Sequence, residues 1–144
     1  VCKKLPYIPF VFAGNGPLEE QISKMENIDD KGFLKECDLR SLIDSAEFSI
    51  FPSECNENCP FSVMESLSSG TPVIGARIGG VPELIEDGKN GLLFTSGNEK
   101  ELEEKIEYLW DEKAVREKLR QGCLNNDFDS AISYCQKLLK YYEM

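Results

Sequence analysis

Short apolar runs alternate with amphipathic segments along the chain, and this alternation predicts its architecture. Apolar runs typical of buried strands lie at residues 10–13, 48–51, 71–76 and 91–94. Between them, apolar residues recur at helical spacing, as Leu39, Leu42 and Ile43 do. A regular alternation of strand and helix patterns favours a parallel sheet covered by helices over a sandwich or a bundle. The predicted fold is therefore an α/β domain in which helices cover a parallel sheet.

Several residues mark where the predicted helices begin and end. Pro17 is expected at the first position of a helix, and Asp38 is expected to cap the next one. A helix is predicted from residue 61 to 69, where Gly70 ends it. Gly79 and Gly80 indicate a tight turn, and the pattern is wholly helical from residue 98 onward. The aromatic residues of that helical part are expected to pack inside the fold; they are Trp110, Tyr134, Tyr141 and Tyr142.

Length and charge limit the classes of protein to be considered. The chain has 144 residues with 41% hydrophobic residues, which predicts a single globular domain spanning 1–144. Its 16 basic and 26 acidic residues give a formal net charge of −10. Such a field repels phosphate backbones and anionic lipids. Neither a nucleic-acid partner nor direct membrane contact is expected for this domain.

The residues available for chemistry are restricted because the chain contains no histidine. The commonest general base and the commonest metal ligand are therefore absent. The six cysteines are not preceded by a signal peptide, so they are interpreted as free thiols of a cytoplasmic protein. Cys55 and Cys59 lack the second pair of ligands that a zinc site needs, and no metal is predicted.

Three loops are expected to meet at one edge of the sheet. They follow the strands at 10–13, 48–51 and 71–76, and ligands of open α/β sheets bind beyond the carboxyl ends of strands. Glycines allow a backbone to approach a ligand closely, and a helix N-terminus offers unpaired N–H groups to an anion. The amides of Phe61 and Ser62 are the expected donors. This crevice suits a phosphorylated ligand.

Two glutamates lie around the start of the same predicted helix. Glu57 is in the loop, and Glu65 follows eight residues later on the helix, so both can face the crevice. An ionised carboxylate only accepts hydrogen bonds, which is what sugar hydroxyls require of a protein. The alternative is that Glu57 is a solvated loop residue and that Glu65 caps the helix or forms a local salt bridge.

A series of motifs runs along the chain in a fixed order around Glu57 and Glu65. The motifs are FAGNGP at 12–17, FPS at 51–53, SGTPVI at 69–74, GGVPE at 79–83 and DGKNGLLF at 87–94. The series covers residues 11–119 and resembles the donor-binding domain of retaining GT-B glycosyltransferases of family four, the glycosyl transferases group 1. The resemblance implies a Rossmann-like parallel sheet with helices on both faces.

The resemblance implies a role for each matching residue. Glu57 would be the catalytic residue that contacts the hydroxyls of the donor sugar, and Glu65 would hold the ribose hydroxyls. Main-chain groups of three residues would meet the sugar and the diphosphate: Pro60, Phe61 and Ser62. The turn formed by Gly32, Phe33 and Leu34 would line the base of the nucleotide. Gly14 and Gly16 would lie on the same edge of the sheet.

The chain departs from the family pattern in two respects. Asn58, Cys59 and Pro60 stand where glycines usually follow the first motif glutamate. The family's Arg and Lys that neutralise the diphosphate belong to a strand and helix that would precede Val1. That strand is central in the strand order 3-2-1-4-5-6. Its absence predicts either a gap in the sheet between residues 10–13 and 48–51, which an upstream segment would fill, or a rearrangement of the remaining strands.

The expected function is donor binding within a retaining glycosyltransferase, which moves a sugar from a nucleoside diphosphate to a saccharide or lipid acceptor in polysaccharide biosynthesis. The nucleotide sugar is a co-substrate, and the remaining partner is an N-terminal acceptor-binding domain of the same polypeptide. That domain would provide any peripheral contact with the inner face of a membrane. The isolated chain is expected to bind donor weakly without catalysing transfer.

Two other interpretations of the motif pattern compete with this one. The first is a non-catalytic module of the same fold that binds nucleotide sugar without turnover; the intact Glu57 and Glu65 argue against it. The second is a phospho-receiver domain, which needs an Asp after a central strand. Here Phe51 is followed by Pro52 and Ser53, so that chemistry is excluded.

Overall fold

A computed structural model describes residues 1–125, 128 and 131–142 of the chain. Strands and helices alternate up to the last strand, and three helices follow it. The elements are a 3-10 turn Cys2–Lys4, β1 Phe10–Phe12, α1 Glu19–Ile22, β2 Ile28–Asp30, α2 Glu36–Ser45, β3 Ser49–Phe51, α3 Phe61–Ser68, β4 Val73–Ala76, α4 Val81–Leu84, β5 Gly91–Phe94, α5 Glu99–Asp111, α6 Lys113–Leu124 and α7 Ala131–Tyr142.

The strands form two separate parallel sheets. β1 pairs with β2, and β3, β4 and β5 form the second sheet in that order. In the second sheet Ile74 lies opposite Ile50 on one side and Leu92 on the other. Within the described residues no strand pairs with the free edges of β1 and β3. The gap predicted between these two strands is therefore confirmed.

Helices cover both faces of the three-stranded sheet. Every residue of β4 and β5 is buried, and successive side chains point to opposite faces. Ile74 and Leu92 pack with α5 and with Leu5 and Ile8 of the N-terminal segment. Val73 packs on the other face in a cluster that includes residues of α3 and α4. This two-sided burial confirms the predicted α/β class.

The boundaries of several elements differ from those predicted. The strand predicted at 71–76 begins at Val73 because Pro72 lacks an N–H; its carbonyl accepts a hydrogen bond from the Ser49 N–H instead. Pro17 precedes its helix, which begins at Glu19. The cap predicted at Asp38 is wrong, since α2 begins at Glu36 and Asp38 lies in its first turn. There its negative charge still complements the helix dipole.

The predicted packing of the C-terminal aromatic residues is correct only for Trp110, which lies against the main core. Tyr134, Tyr141 and Tyr142 are exposed, the last by 85% of its area. They lie on α7, whose apolar side no other described element covers substantially. Among the described helices none combines the length and the apolar character that a membrane span requires.

Cys123 is the most protected thiol of the chain and gives a direct test of the core. It is 2% exposed, its Sγ–H donates to the carbonyl of Asn90, and burial raises its pKa to about 11. We expect a thiol-specific reagent at pH 8 to modify the four exposed cysteines rapidly and Cys123 only on unfolding; mass spectrometry of timed samples measures this. Equal rates for Cys123 and Cys37 in the folded chain would contradict the described packing.

The same thiol makes stability depend on pH. Because its folded pKa lies above the ordinary value of 9.0, the unfolded chain releases this proton at lower pH. The contribution is complete below about pH 9 and is lost as the pH rises toward 11. A Cys123→Ala variant is expected to lose this alkaline component of the stability profile.

Candidate functional site

The loop that carries Glu57 rests directly on the turn after β4. The Gly80 N–H donates to the Glu57 carbonyl oxygen at 2.8 Å. A Cβ on Gly80 would lie 1.9 Å from the Asn58 carbonyl oxygen, and one on Gly79 would lie 2.4 Å from that of Glu57. Only residues without a side chain allow such an approach. Gly79 and Gly80 therefore form a seat for the backbone of Glu57 and Asn58.

The loop after β5 also reaches the Glu57 loop. The hydroxyl of Ser96 donates to the carbonyl of Ser53 at 3.4 Å, and the Cys55 N–H donates to the Ser53 hydroxyl at 3.2 Å. The carboxyl ends of β3, β4 and β5 are thus connected by contacts between their loops. This part of the shared edge predicted from the sequence is present in the structure.

The helix that follows the loop offers unpaired amides at its start. Pro60 is the N-cap of α3, and its carbonyl accepts from the N–H groups of Val63 and Met64. Among the described residues, nothing accepts a hydrogen bond from the N–H groups of Phe61 and Ser62. The first turn contains no acidic residue, so the positive end of the helix dipole is not neutralised locally. This end of α3 can bind an anion.

Buried contacts hold α3 firmly in place behind these amides. Val63 and Leu67 are at most 1% exposed, and Ser66 is equally buried. The Ser66 hydroxyl lies 2.8 Å from that of Ser49 on β3 and 3.0 Å from the carbonyl of Thr71. Because the helix cannot move independently of the sheet, the amides have a fixed orientation.

Glu57 and Glu65 are both exposed to solvent. Glu57 lies in the loop before α3, and Glu65 lies on the second turn of the helix. In the described part of the chain neither carboxylate has a hydrogen-bond or ion-pair partner. Both are thus available to a ligand, and the local salt bridge considered for Glu65 is not present in the structure.

The glycine turns after β1 and β2 form a second joined pair. The Gly14 N–H donates to the Gly32 carbonyl oxygen at 2.7 Å, and the Gly32 N–H donates to a carboxylate oxygen of Asp30 at 3.1 Å. Gly14 and Gly32 both have positive φ angles, of 131° and 58°. Gly16 has open space around it, and Phe33 next to Gly32 is 78% exposed.

The structure thus brings the predicted site residues together in two groups. One group comprises Glu57, Pro60, Phe61, Ser62 and Glu65. The other comprises Gly14, Gly16, Gly32, Phe33 and Leu34. The first group lies on the Glu57 loop and the first two turns of α3, and a hydrogen bond from the Gly14 N–H to the Gly32 carbonyl joins the two turns of the second group. No hydrogen bond among the described residues links the two groups. They belong to different sheets, on either side of the gap between β1 and β3.

A groove of about 630 Å³ lies elsewhere, at the amino ends of β1 and β2. Lys3, Tyr7 and Lys24 line part of it, and Tyr7 donates a hydrogen bond to Glu107, which raises the tyrosine pKa to about 12. The groove is open, and two of its polar side chains, Tyr7 and Asn27, are already hydrogen-bonded within the fold. Among the described residues, no group of three or more histidine, cysteine or carboxylate side chains could hold a metal ion. The chemistry therefore favours the loops at the carboxyl ends of the strands.

Sequence reasoning left open the role of the two glycines after β4. The pattern at 79–83 indicated a tight turn and placed it near the ligand, but it did not show which backbone the glycines contact. The sequence contains one signal for this contact: two consecutive glycines follow β4, and the loop after β3 has an unusual composition. The contact itself joins residues more than twenty positions apart, and sequence spacing cannot reveal such a contact.

Comparison with known proteins gives a consistent result. The family model described as "Glycosyl transferases group 1" matches residues 1–123. The sulfoquinovosyl transferase of Arabidopsis thaliana is 33% identical over 123 residues, covering 81% of this chain and 24% of the plant protein. The alpha-D-kanosaminyltransferase of Streptomyces kanamyceticus is 26% identical over 120 residues, covering 78% of this chain and 31% of that protein.

Solved structures share the fold of this chain. HepE from Anabaena in complex with UDP superposes with a TM-score of 0.83 at 21% identity, over 96% of this chain and 42% of the other. The complex of HepE with UDP-glucose gives a TM-score of 0.81 at 22% identity, over 99% of this chain and 44% of the other. The chain spans 24% of the length of the Arabidopsis transferase and 31% of that of the Streptomyces transferase.

Proposed function

Because the chain belongs to the glycosyl transferases group 1 family, we propose that it binds the nucleotide-sugar donor of a retaining GT-B glycosyltransferase. The reaction would move a hexose from a nucleoside diphosphate to a saccharide or lipid acceptor in polysaccharide biosynthesis. The observation that carries this proposal is the seat of Glu57 on Gly79 and Gly80, in the loop that leads into the unpaired amides at the start of α3. This arrangement combines acceptors for hydroxyl groups with donors for an anion.

Each part of the donor has a counterpart among these residues. Glu57 would accept hydrogen bonds from the sugar hydroxyls and act as the catalytic residue, and Glu65 would accept those of the ribose. The amides of Phe61 and Ser62 would hold the diphosphate, supported by the backbone at Pro60. The turn from Gly32 to Leu34 would line the base, and the turn from Gly14 to Gly16 would lie on the same edge. HepE binds UDP and UDP-glucose, which supports a nucleotide sugar as the ligand of this shared fold.

In this proposal the sugar is transferred with retention at the anomeric carbon, and the departing diphosphate is stabilised electrostatically. Amide dipoles oriented before the reaction stabilise charge that develops in the transition state. An Arg and a Lys outside this chain would supply the balancing positive charge, which a domain of net charge −10 lacks. The scheme uses the nucleotide sugar as co-substrate and assigns no step to a metal.

Acceptor binding would belong to a further domain of the same polypeptide. We propose that the 144-residue chain alone binds donor weakly and does not catalyse transfer, so binding is the appropriate measurement. All six cysteines are free, which supports a reducing compartment such as the cytoplasm. Any contact with the inner face of a membrane would come from the acceptor-binding domain.

Substitution of the two glutamates tests the proposal. We expect Glu57→Gln to weaken UDP-glucose binding about tenfold and to leave UDP binding almost unchanged, because only the sugar loses a charged acceptor. Glu65→Gln is expected to weaken both ligands by a similar factor, since both contain the ribose. Titrations of the 144-residue chain followed by NMR at millimolar ligand concentrations measure both effects.

Glu117→Gln provides the matched control for these two variants. Glu117 is an exposed glutamate on α6, outside both groups of site residues, so its replacement should change neither affinity. If Glu57→Gln and Glu65→Gln bind both ligands as tightly as this control does, the two carboxylates do not contact the donor and the proposed roles are wrong.

A further inference from the structure

Phe61 is a large apolar side chain that the fold leaves in solvent. It is the first residue of α3 and is 74% exposed, whereas Val63 and Leu67 of the same helix are buried. Phenylalanine is usually found inside proteins. The packing of α3 against the sheet therefore gives no reason for a phenyl ring at this position, and a different use of the ring has to be considered.

The ring is close to the groups proposed to bind the donor. Phe61 and Glu65 are four residues apart on the helix, so they lie on one face of α3. Side chains of a helix lean toward its N-terminus, which places the ring on the side of the loop that carries Glu57. Met64, three residues after Phe61, has its sulfur 3.3 Å from the Cys59 Sγ, so this part of the surface is also apolar.

We propose that Phe61 selects for the sugar portion of the donor by packing its ring against the C–H face of the hexose. This inference rests on the proposed function. The main-chain N–H of Phe61 would contact the diphosphate, while Glu65, one turn further along, faces the nucleoside. Both side chains lean toward the N-terminus of α3, but the Phe61 ring is one turn closer to the loop that carries Glu57 and therefore lies on the sugar side of the diphosphate. A hexose presents hydroxyl groups around its edge, which suit Glu57, and an apolar C–H face, which suits an aromatic ring.

The test compares UDP with UDP-glucose as probes on the 144-residue chain. We expect Phe61→Ala to weaken UDP-glucose binding about five- to tenfold and to change UDP binding less than twofold, because only the sugar loses apolar contact. Phe61→Tyr keeps the ring and should restore the affinity for UDP-glucose. NMR titration provides both dissociation constants, and the spectrum of each variant reports whether the fold is retained.

Tyr108→Ala is the control for loss of an exposed aromatic ring, since Tyr108 is 48% exposed on α5. It should leave both affinities unchanged. Equal weakening of UDP and UDP-glucose by Phe61→Ala, or no weakening of either, would overturn the assignment of the ring to the sugar. Failure of the unaltered chain to bind either nucleotide would instead refute the proposed function on which this inference rests.

Discussion

Replacing Gly80 with alanine is expected to reduce UDP-glucose binding to this chain by at least about thirtyfold, which exceeds the loss of about tenfold expected for Glu57→Gln. The new methyl group would lie 1.9 Å from the carbonyl oxygen of Asn58, so one of the two backbones has to move. Gly80 has an ordinary φ of −81°, which means that alanine introduces no backbone strain of its own. The displaced loop would take Glu57 away from the amides of Phe61 and Ser62.

The effect of Gly80→Ala on stability should be smaller than its effect on binding. Overpacking of a close contact typically costs about 1–3 kcal/mol in the free energy of unfolding. The Glu57 loop is exposed, so it can yield without disrupting the core. Thermal unfolding and NMR titration of the same sample separate the two effects.

Gly88→Ala is the matched control for removal of a glycine. Gly88 has a φ of 78° and open space at its Cβ position, so alanine there introduces strain without a collision. We expect it to lower stability slightly and to leave binding unchanged. If Gly80→Ala binds UDP-glucose as well as Gly88→Ala does, the seat formed by Gly79 and Gly80 does not position Glu57.

Converting Asn27 to aspartate is expected to destabilise the fold by about 3 kcal/mol, which lowers the melting temperature by roughly 10 °C for a domain of this size. The Asn27 side-chain amide lies within 3.0–3.2 Å of three carbonyl oxygens, those of Cys2, Leu5 and Ile8. An aspartate has the same shape, but when it is ionised it has no proton to donate. Three carbonyls would then face a negative charge in a partly buried position.

Loss of the Asn27 hydrogen bonds would also affect the core, because Leu5 and Ile8 are 1% and 2% exposed and pack against β4 and β5. Thermal unfolding at pH 7 measures the effect. Asn15→Asp is the control, since Asn15 is exposed and its side-chain amide makes no hydrogen bond among the described residues. A melting temperature for Asn27→Asp equal to that of Asn15→Asp would show that the three hydrogen bonds do not hold the N-terminal segment.

Local patterns predicted most elements of the fold. The strand at 91–94 was placed with its observed bounds, and Gly70 ends α3 with a φ of 80°, as a residue without a side chain can. The expected gap between the strands near Phe10 and Phe51 is present as two separate sheets. Errors arose where a boundary depends on a neighbouring strand, as at Pro72, or where a helix begins without a side-chain cap, as α2 does after Lys35.

Apolar periodicity also failed for α7, where Tyr134, Tyr141 and Tyr142 remain exposed. Periodicity reports that one side of a helix is apolar, but it does not report whether another element covers that side. The described elements leave this side of α7 largely uncovered. Burial is a property of the whole arrangement, and the pattern alone therefore predicted it incorrectly.

The sequence by itself determined the α/β class, the order of the elements and the residue types around the proposed donor site, because these depend on periodicity and on motifs within a few positions. Only the tertiary structure decided that Gly79 and Gly80 support Glu57 and Asn58, and that Asn27 fastens the N-terminal segment. These contacts join residues about twenty positions apart. Such residues come together only when the chain folds, so local propensity contains no information about the contacts between them.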